Sequence, residues 1–179
     1  MKIFIAGPRA VSKLSAEVIN RLESIADNNF TVLVGDANGI DKTIQKFYSE
    51  KEYKNVIVYA SGEKIRNNIG NWKTKNIKVL DNVKGFDFYA IKDREMAKDS
   101  DYGLMIWNGK SRGTFNNIIN LVLFNRTVLL YFIPNKQFYT IKSMNDVKRL
   151  VDIINDQDIY EFFLDKTNGV EQLTLNTFV

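Results

Sequence analysis

The chain has 179 residues, 45% hydrophobic and 26% charged, with a formal net charge of +4 and a pI near 9.1, the composition of one ordinary globular domain with or without an appendage. It has no cysteine and no histidine, which excludes disulfides, thiolate nucleophiles, a Ser-His-Asp triad and Cys- or His-ligated metals. Any catalysis must therefore rest on carboxylates, Tyr, Lys, Arg or the backbone, and neither a metal nor a cofactor is called for.

The basic residues are spread rather than blocked, so a solvated surface is favoured over nucleic-acid binding, which the charge allows without indicating. No apolar run approaches the roughly 18 residues of a spanning helix, so no membrane partner is expected. Residues 2–6 are an apolar strand stopped by Gly7-Pro8-Arg9, a pattern unlike a signal peptide. A cytoplasmic protein is the expectation.

Ser15 caps a helix whose Val18, Ile19, Leu22, Ile25 and Ala26 recur at helical spacing. Residues 30–34 are a second, β-branched strand, followed by the turn Gly35-Asp36-Ala37-Asn38-Gly39 and a helix face of Ile40, Ile44, Phe47 and Tyr48. Residues 55–59 form a third strand. Residues 61–76 are polar and aperiodic, the one long loop expected, with Trp72 read as a plug for the core edge in preference to a lid. A short strand over 77–80, a helix over 86–98, a strand over 102–107, a helix over 114–125 and a strand over 127–133 follow. Strands alternating with helices predict an α/β fold: a Rossmann-like, doubly wound, mainly parallel sheet with helices on both faces. Residues 1–134 are assigned to this domain. Residues 135–179 are assigned to a C-terminal extension packed on it or on a partner subunit. The extension starts with a helix capped by Ser143 and ends in a β-hairpin, Tyr160–Leu164 and Val170–Val179 about an Asn168-Gly169 turn.

Three turns fall at carboxyl ends of strands, where ligands of such sheets bind. In the first, Gly7 lets backbone approach a ligand, Pro8 ends the strand, and Arg9 offers a fork for phosphate or carboxylate. In the second, Gly35 and Gly39 bracket Asp36, and Asp41 in the first helical turn suits either the helix dipole or a pair of ribose hydroxyls. The third is the strongest. Asn108-Gly109-Lys110-Ser111-Arg112-Gly113-Thr114 joins a buried strand to a helix. Gly109 and Gly113 allow a close backbone, Ser111 and Thr114 supply hydroxyls, and the helix N-terminus supplies free amides for a phosphate. Its spacing fits neither the P-loop nor Gly-x-Gly-x-x-Gly, so a hydride-transfer cofactor is not supported. Arg94, in Asp93-Arg94-Glu95 on the third long helix, is either an anion holder or a solvated cation.

Taken together, Gly7-Pro8-Arg9, Gly35 to Asp41, Asp93-Arg94-Glu95 and Trp107 to Thr114 resemble the SLOG superfamily over about residues 1–133, nearest its YspA/YpsA-like branch. That superfamily takes in the bacterial DNA-processing protein A and the Lonely Guy phosphoribohydrolases. The resemblance implies a Rossmann-like fold, a nucleotide or nucleotide-derived ligand and a homo-oligomer. The phosphoribohydrolase branch carries a Glu where this chain has Asn117, and an amide cannot serve as a carboxylate base or nucleophile. Binding is therefore the first reading. The alternative is an N-glycosidic hydrolase or transferase with Asp36, Asp41 or Glu95 supplying the carboxylate; Met1 to Pro8 also resemble the opening of nucleoside deoxyribosyltransferases. Single-stranded DNA binding is the third reading, and the scattered charge disfavours it.

Overall fold

In the computed structural model, which describes the backbone of residues 1–175 and the side chains of residues 1–167, the chain alternates strand and helix as expected. The order is β1 (Lys2–Ala6), α1 (Ala16–Asp27), β2 (Thr31–Gly35), α2 (Ile40–Glu50), β3 (Val56–Ser61), β4 (Lys73–Ile77), α3 (Gly85–Asp99), β5 (Tyr102–Trp107), α4 (Arg112–Leu123), β6 (Thr127–Phe132), β7 (Gln137–Ile141), α5 (Met144–Ile154) and α6 (Gln157–Leu175). The strands form one sheet in the order β4-β3-β2-β1-β5-β6-β7, parallel except for the β6–β7 hairpin. The strand order reverses between β1 and β5, whose register pairs Ile5 with Leu104 and Ala6 with Met105.

Period-2 alternation sorts each strand onto two faces. Phe4, Ala6, Leu33, Met105, Trp107 and Leu130 pack with α3, α4, α5 and α6. Ile3, Ile5, Val34, Val58, Leu104 and Ile106 pack with α1 and α2. The architecture is the Rossmann-like, doubly wound α/β fold the alternation predicts.

Both edge strands differ from the sequence expectation. The polar Lys73-Thr74-Lys75-Asn76-Ile77 pairs in parallel with β3; its first four residues fall in the stretch read as a loop, and it shares only Ile77 with the expected strand at 77–80. β7 turns back antiparallel onto β6 through a tight turn with Lys136 at φ +57°. Edge strands carry polar residues because only one of their flanks is paired, so neither shows an apolar run.

The loop between β3 and β4 is fastened. Trp72 is buried and donates through Nε1 to the Tyr53 carbonyl at 2.7 Å, the plug anticipated. Buried Gln45 donates to the carbonyls of Gly35 (2.9 Å) and Asn67 (3.2 Å) and accepts from the Ile69 amide at 3.0 Å.

The C-terminal hairpin is a correction. Ser143 does cap α5 in a reciprocal box with Asp146, but residues 157–175 are helical; the last four residues of the expected hairpin lie outside the described residues. Asp156 starts α6 by accepting from the Ile159 amide at 3.1 Å. Ile159 and Phe163, four residues apart, are buried beside Phe115, Val147 and Val151, and Phe162 packs against the same cluster. Burial of that helical stripe outweighs the local turn preference of Asn168-Gly169.

Candidate functional site

A cavity of about 620 Å³ opens at the carboxyl ends of β1 and β5, at the crevice where the strand order reverses. One wall is the turn after β1: Gly7, Pro8 and Arg9 line it. A Cβ on Gly7 would lie 2.7 Å from Ile40 Cγ1 and 2.8 Å from the Ile106 carbonyl oxygen, so the strand end fits between α2 and β5 only as glycine. The Pro8 carbonyl accepts from the Ile40 amide at 3.3 Å. Gly39 takes φ +77°, and a Cβ there would fall 2.3 Å from the Arg9 carbonyl oxygen. The first two glycine turns, 28 residues apart in sequence, are thus one interlocked unit.

The facing wall is the turn from β5 into α4. Asn108 Oδ1 accepts from the amides of Lys110 (3.1 Å) and Ser111 (3.0 Å). Trp107 Nε1 donates to the Ser111 carbonyl at 3.0 Å. Ser111 is the N-cap of α4: its Oγ accepts from the Thr114 amide at 3.3 Å and from Thr114 Oγ1 at 3.0 Å. The helix therefore starts two residues before the expected Thr114. The Ser111 and Thr114 hydroxyls are spent first on the cap, while the amides of Arg112 and Gly113 have no partner among the described residues. A Cβ on Gly113 would meet nothing within 4 Å, so a ligand can reach that helix end directly.

The floor is charged. Asp41, in the first turn of α2, is 6% exposed and accepts weakly from the Ala37 amide at 3.4 Å. Lys92 of α3 is 3% exposed and pairs with Asp93. All three side chains belong to residues lining the cavity. A Cβ on Gly35 would lie 2.3 Å from Asp41 Oδ2 and 2.8 Å from Lys92 Nζ; glycine at the end of β2 leaves room for both charged groups beside the strand end. Burial pushes Asp41 up to about 6; Lys92 pulls it down, and Asp93 and Asp36 push it further up. For Lys92 burial works against the charge, but Asp93 and Asp41 outweigh it and hold the ammonium above its usual range.

Of the residues expected at the site, Gly7, Pro8, Arg9, Asp41, Asn108, Ser111, Gly113 and Thr114 line the cavity. Gly35, Gly39 and Gly109 stand behind its walls as backbone devices, Gly109 at φ +79°. Asp36 is turned away. It is buried and takes the Arg66 guanidinium through both oxygens, with Nε to Oδ2 at 2.9 Å, together with the Arg66 amide at 3.1 Å. Burial raises its pKa, but the Arg66 contacts prevail and hold it below the usual carboxylate range. It anchors the β3–β4 loop. Arg94 is exposed and is not among the residues lining the cavity. Glu95 is half-buried near Tyr59, whose phenol is pushed up by burial, by Asp99 and by Glu95.

Sequence reasoning missed Lys92, whose burial no local pattern announces, and the placement of Tyr89. The Arg9 and Arg66 guanidiniums both lie over the Tyr89 ring, 4.4 and 4.6 Å from its centroid. Asn116 and Asn117 of α4 also line the cavity and are buried. Among the described residues no three acidic side chains converge as a metal-ligand set, and no helix is long and apolar enough to cross a membrane.

No family model and no curated protein sequence matches this chain. Among solved structures, DNA processing protein A from Helicobacter pylori, reported for its mode of binding single-stranded DNA, is similar with a TM-score of 0.59 at 13% identity, over 94% of this chain and 81% of that one. At that identity the likeness shows the fold alone: this chain shares the Rossmann-like α/β architecture of that protein.

Proposed function

We propose that the chain binds a nucleotide or nucleotide-derived small molecule in the cavity between β1 and β5. One observation carries the reading. The unpartnered N-terminal amides of α4, the open face of Gly113 and the Arg9 side chain converge on a cavity of about 620 Å³, a volume usual for small-ligand sites. The phosphate sits on the α4 N-terminus with Arg9 and Lys110 adding charge, and the sugar lies towards Asp41. The three turns that, with Asp93-Arg94-Glu95 of α3, resemble the YspA/YpsA-like branch support the same ligand class.

The test is thermal unfolding with a panel of nucleotides and ADP-ribose-type compounds, with chromatography of each ligand afterwards. A ligand at a hundred times its Kd stabilises by about 2.7 kcal/mol, or roughly 5–10 °C for a chain of this size. The shift is lost in Arg9→Ala, and the ligand is recovered intact. No shift with any member of the panel overturns the reading.

Asp41 favours a second reading, cleavage or transfer at an N-glycosidic bond. A carboxyl pushed up to about 6 inside a cavity is poised to give or take a proton near neutrality. Recovery of free base and sugar phosphate, abolished in Asp41→Asn, would replace binding by catalysis.

A further inference from the structure

We propose that Tyr89 is a positioning residue for the site: its ring holds the Arg9 guanidinium ready for the ligand's phosphate, and Arg66 steadies that ring. The proposal rests on the nucleotide-site reading and adds how the site keeps its arginine in place.

Three segments distant in sequence meet at Tyr89. Arg9 comes from the turn after β1, Arg66 from the β3–β4 loop and Tyr89 from α3. The Arg9 and Arg66 guanidinium carbons lie 4.4 and 4.6 Å from the centre of the half-buried Tyr89 ring, inside the range at which a cation is drawn to an aromatic face. The two arginines are otherwise engaged differently. Arg66 gives its side-chain donors to both oxygens of buried Asp36, and its amide donates to the same carboxylate, so its place is fixed. Arg9 is exposed and lines the cavity together with Tyr89. Its side chain has neither an ion pair nor a hydrogen bond among the described residues. Its backbone is held by Gly39, which packs against the Arg9 carbonyl where no Cβ fits.

A long side chain free in solvent loses rotamer freedom when it grips a ligand, and that loss weakens binding. Held at its backbone by Gly39 and at its guanidinium by Tyr89, Arg9 has given up much of that freedom beforehand. A carboxylate partner would fix Arg9 too, but it would take the N–H fork and neutralise the charge. An aromatic ring attracts the cation through its face and leaves the charge in place, so the fork remains for a phosphate. Lys92, another cation lining the cavity, is already paired with Asp93. Arg9 is held without being neutralised.

The test uses the full chain, the ribonucleoside 5′-monophosphates of the four bases and two readouts. In titration calorimetry Tyr89→Phe, which keeps the ring, binds as the unmodified protein does. Tyr89→Leu binds the same monophosphate roughly fivefold more weakly, the worth of one cation–ring contact. In proton–nitrogen spectra the Arg9 Nε–H signal is assigned by its absence from Arg9→Ala. Shielding by the ring displaces it from the free-arginine position, Tyr89→Leu returns it there, and the monophosphate shifts it in the unmodified protein. Unchanged affinity in Tyr89→Leu overturns the proposal. So does Tyr89→Phe binding as weakly as Tyr89→Leu, because the hydroxyl and not the ring would then carry the effect. An Arg9 signal already at the free-arginine position in the unmodified protein overturns it as well, even if Tyr89→Leu does not fold. In all three cases monophosphate binding by the unmodified protein leaves the site reading intact. No binding of any monophosphate overturns both.

Discussion

At Asp41 a carboxylate is enclosed at 6% exposure with Lys92 and a second carboxylate, Asp93, around it. Burial penalises the charged carboxylate, and the Lys92 ammonium, shared with Asp93, does not offset it, so Asp41 holds its proton up to about pH 6, against 3.8 for an ordinary aspartate. Between about pH 4 and 6 the folded chain therefore carries a proton that the unfolded chain has released. Stability falls as pH rises through that window and levels off above it, by about 3 kcal/mol in all. Asp36 works in the opposite sense and elsewhere. Its pKa is lowered, so its contribution is present above the ordinary carboxylate range and is lost only as pH falls below about 4. Lys92, raised above 10.5, loses its contribution only in strong alkali. Urea unfolding at intervals from pH 4.5 to 7 shows the decline in the unmodified protein and a flat profile in Asp41→Asn. An unchanged slope in that variant would assign the titration to another group. Nothing in the sequence announces this cluster, because Asp41 and Lys92 lie on different helices and come near each other only across the space Gly35 leaves.

The turn into α4 was legible because its information is local: Gly109 takes the positive φ the turn needs and Ser111 caps the helix three residues on. Ser111→Ala tests how much of that element depends on its cap. It removes the acceptor for the Thr114 amide and for Thr114 Oγ1, and a lost cap costs about 1 kcal/mol. The variant unfolds at lower urea with an unchanged slope of free energy on denaturant. An unaffected midpoint would mean that Trp107, which holds the Ser111 carbonyl, suffices to fix the turn. Elements whose information is not local were misread or missed. β4 and β7 are held by neighbours on one flank and advertise no apolar run. In α6 a strong two-residue turn signal lost to a stripe of Ile159, Phe162 and Phe163 that acquires its meaning only against α4 and α5. The Asp156 cap was a clue to the helix in the sequence itself.

Across the whole molecule, doubly wound topology concentrates the usable chemistry at one edge. The chain returns from β4 through α3 to place β5 beside β1, and that crossing brings Lys92 and Tyr89 to turns built from the other half of the sheet. A mononucleotide in the proposed pocket and a longer polymer across the same edge would differ in the number of phosphates engaged. The net charge is only +4 over 179 residues, and the cations lining the cavity, Arg9, Lys92 and Lys110, sit with Asp41 and Asp93. A mononucleotide held through one or two phosphate contacts loses less than about tenfold in affinity between 50 and 200 mM salt. A single strand engaging six phosphates loses more than about a hundredfold over the same range, because each neutralised phosphate releases counterions. Titrating a mononucleotide and a single-stranded oligonucleotide across that range gives the shallow dependence for the former and weaker binding for the latter at physiological salt. Tight oligonucleotide binding with the steep slope would shift the function from a nucleotide pocket to a strand-binding surface centred on the same turns.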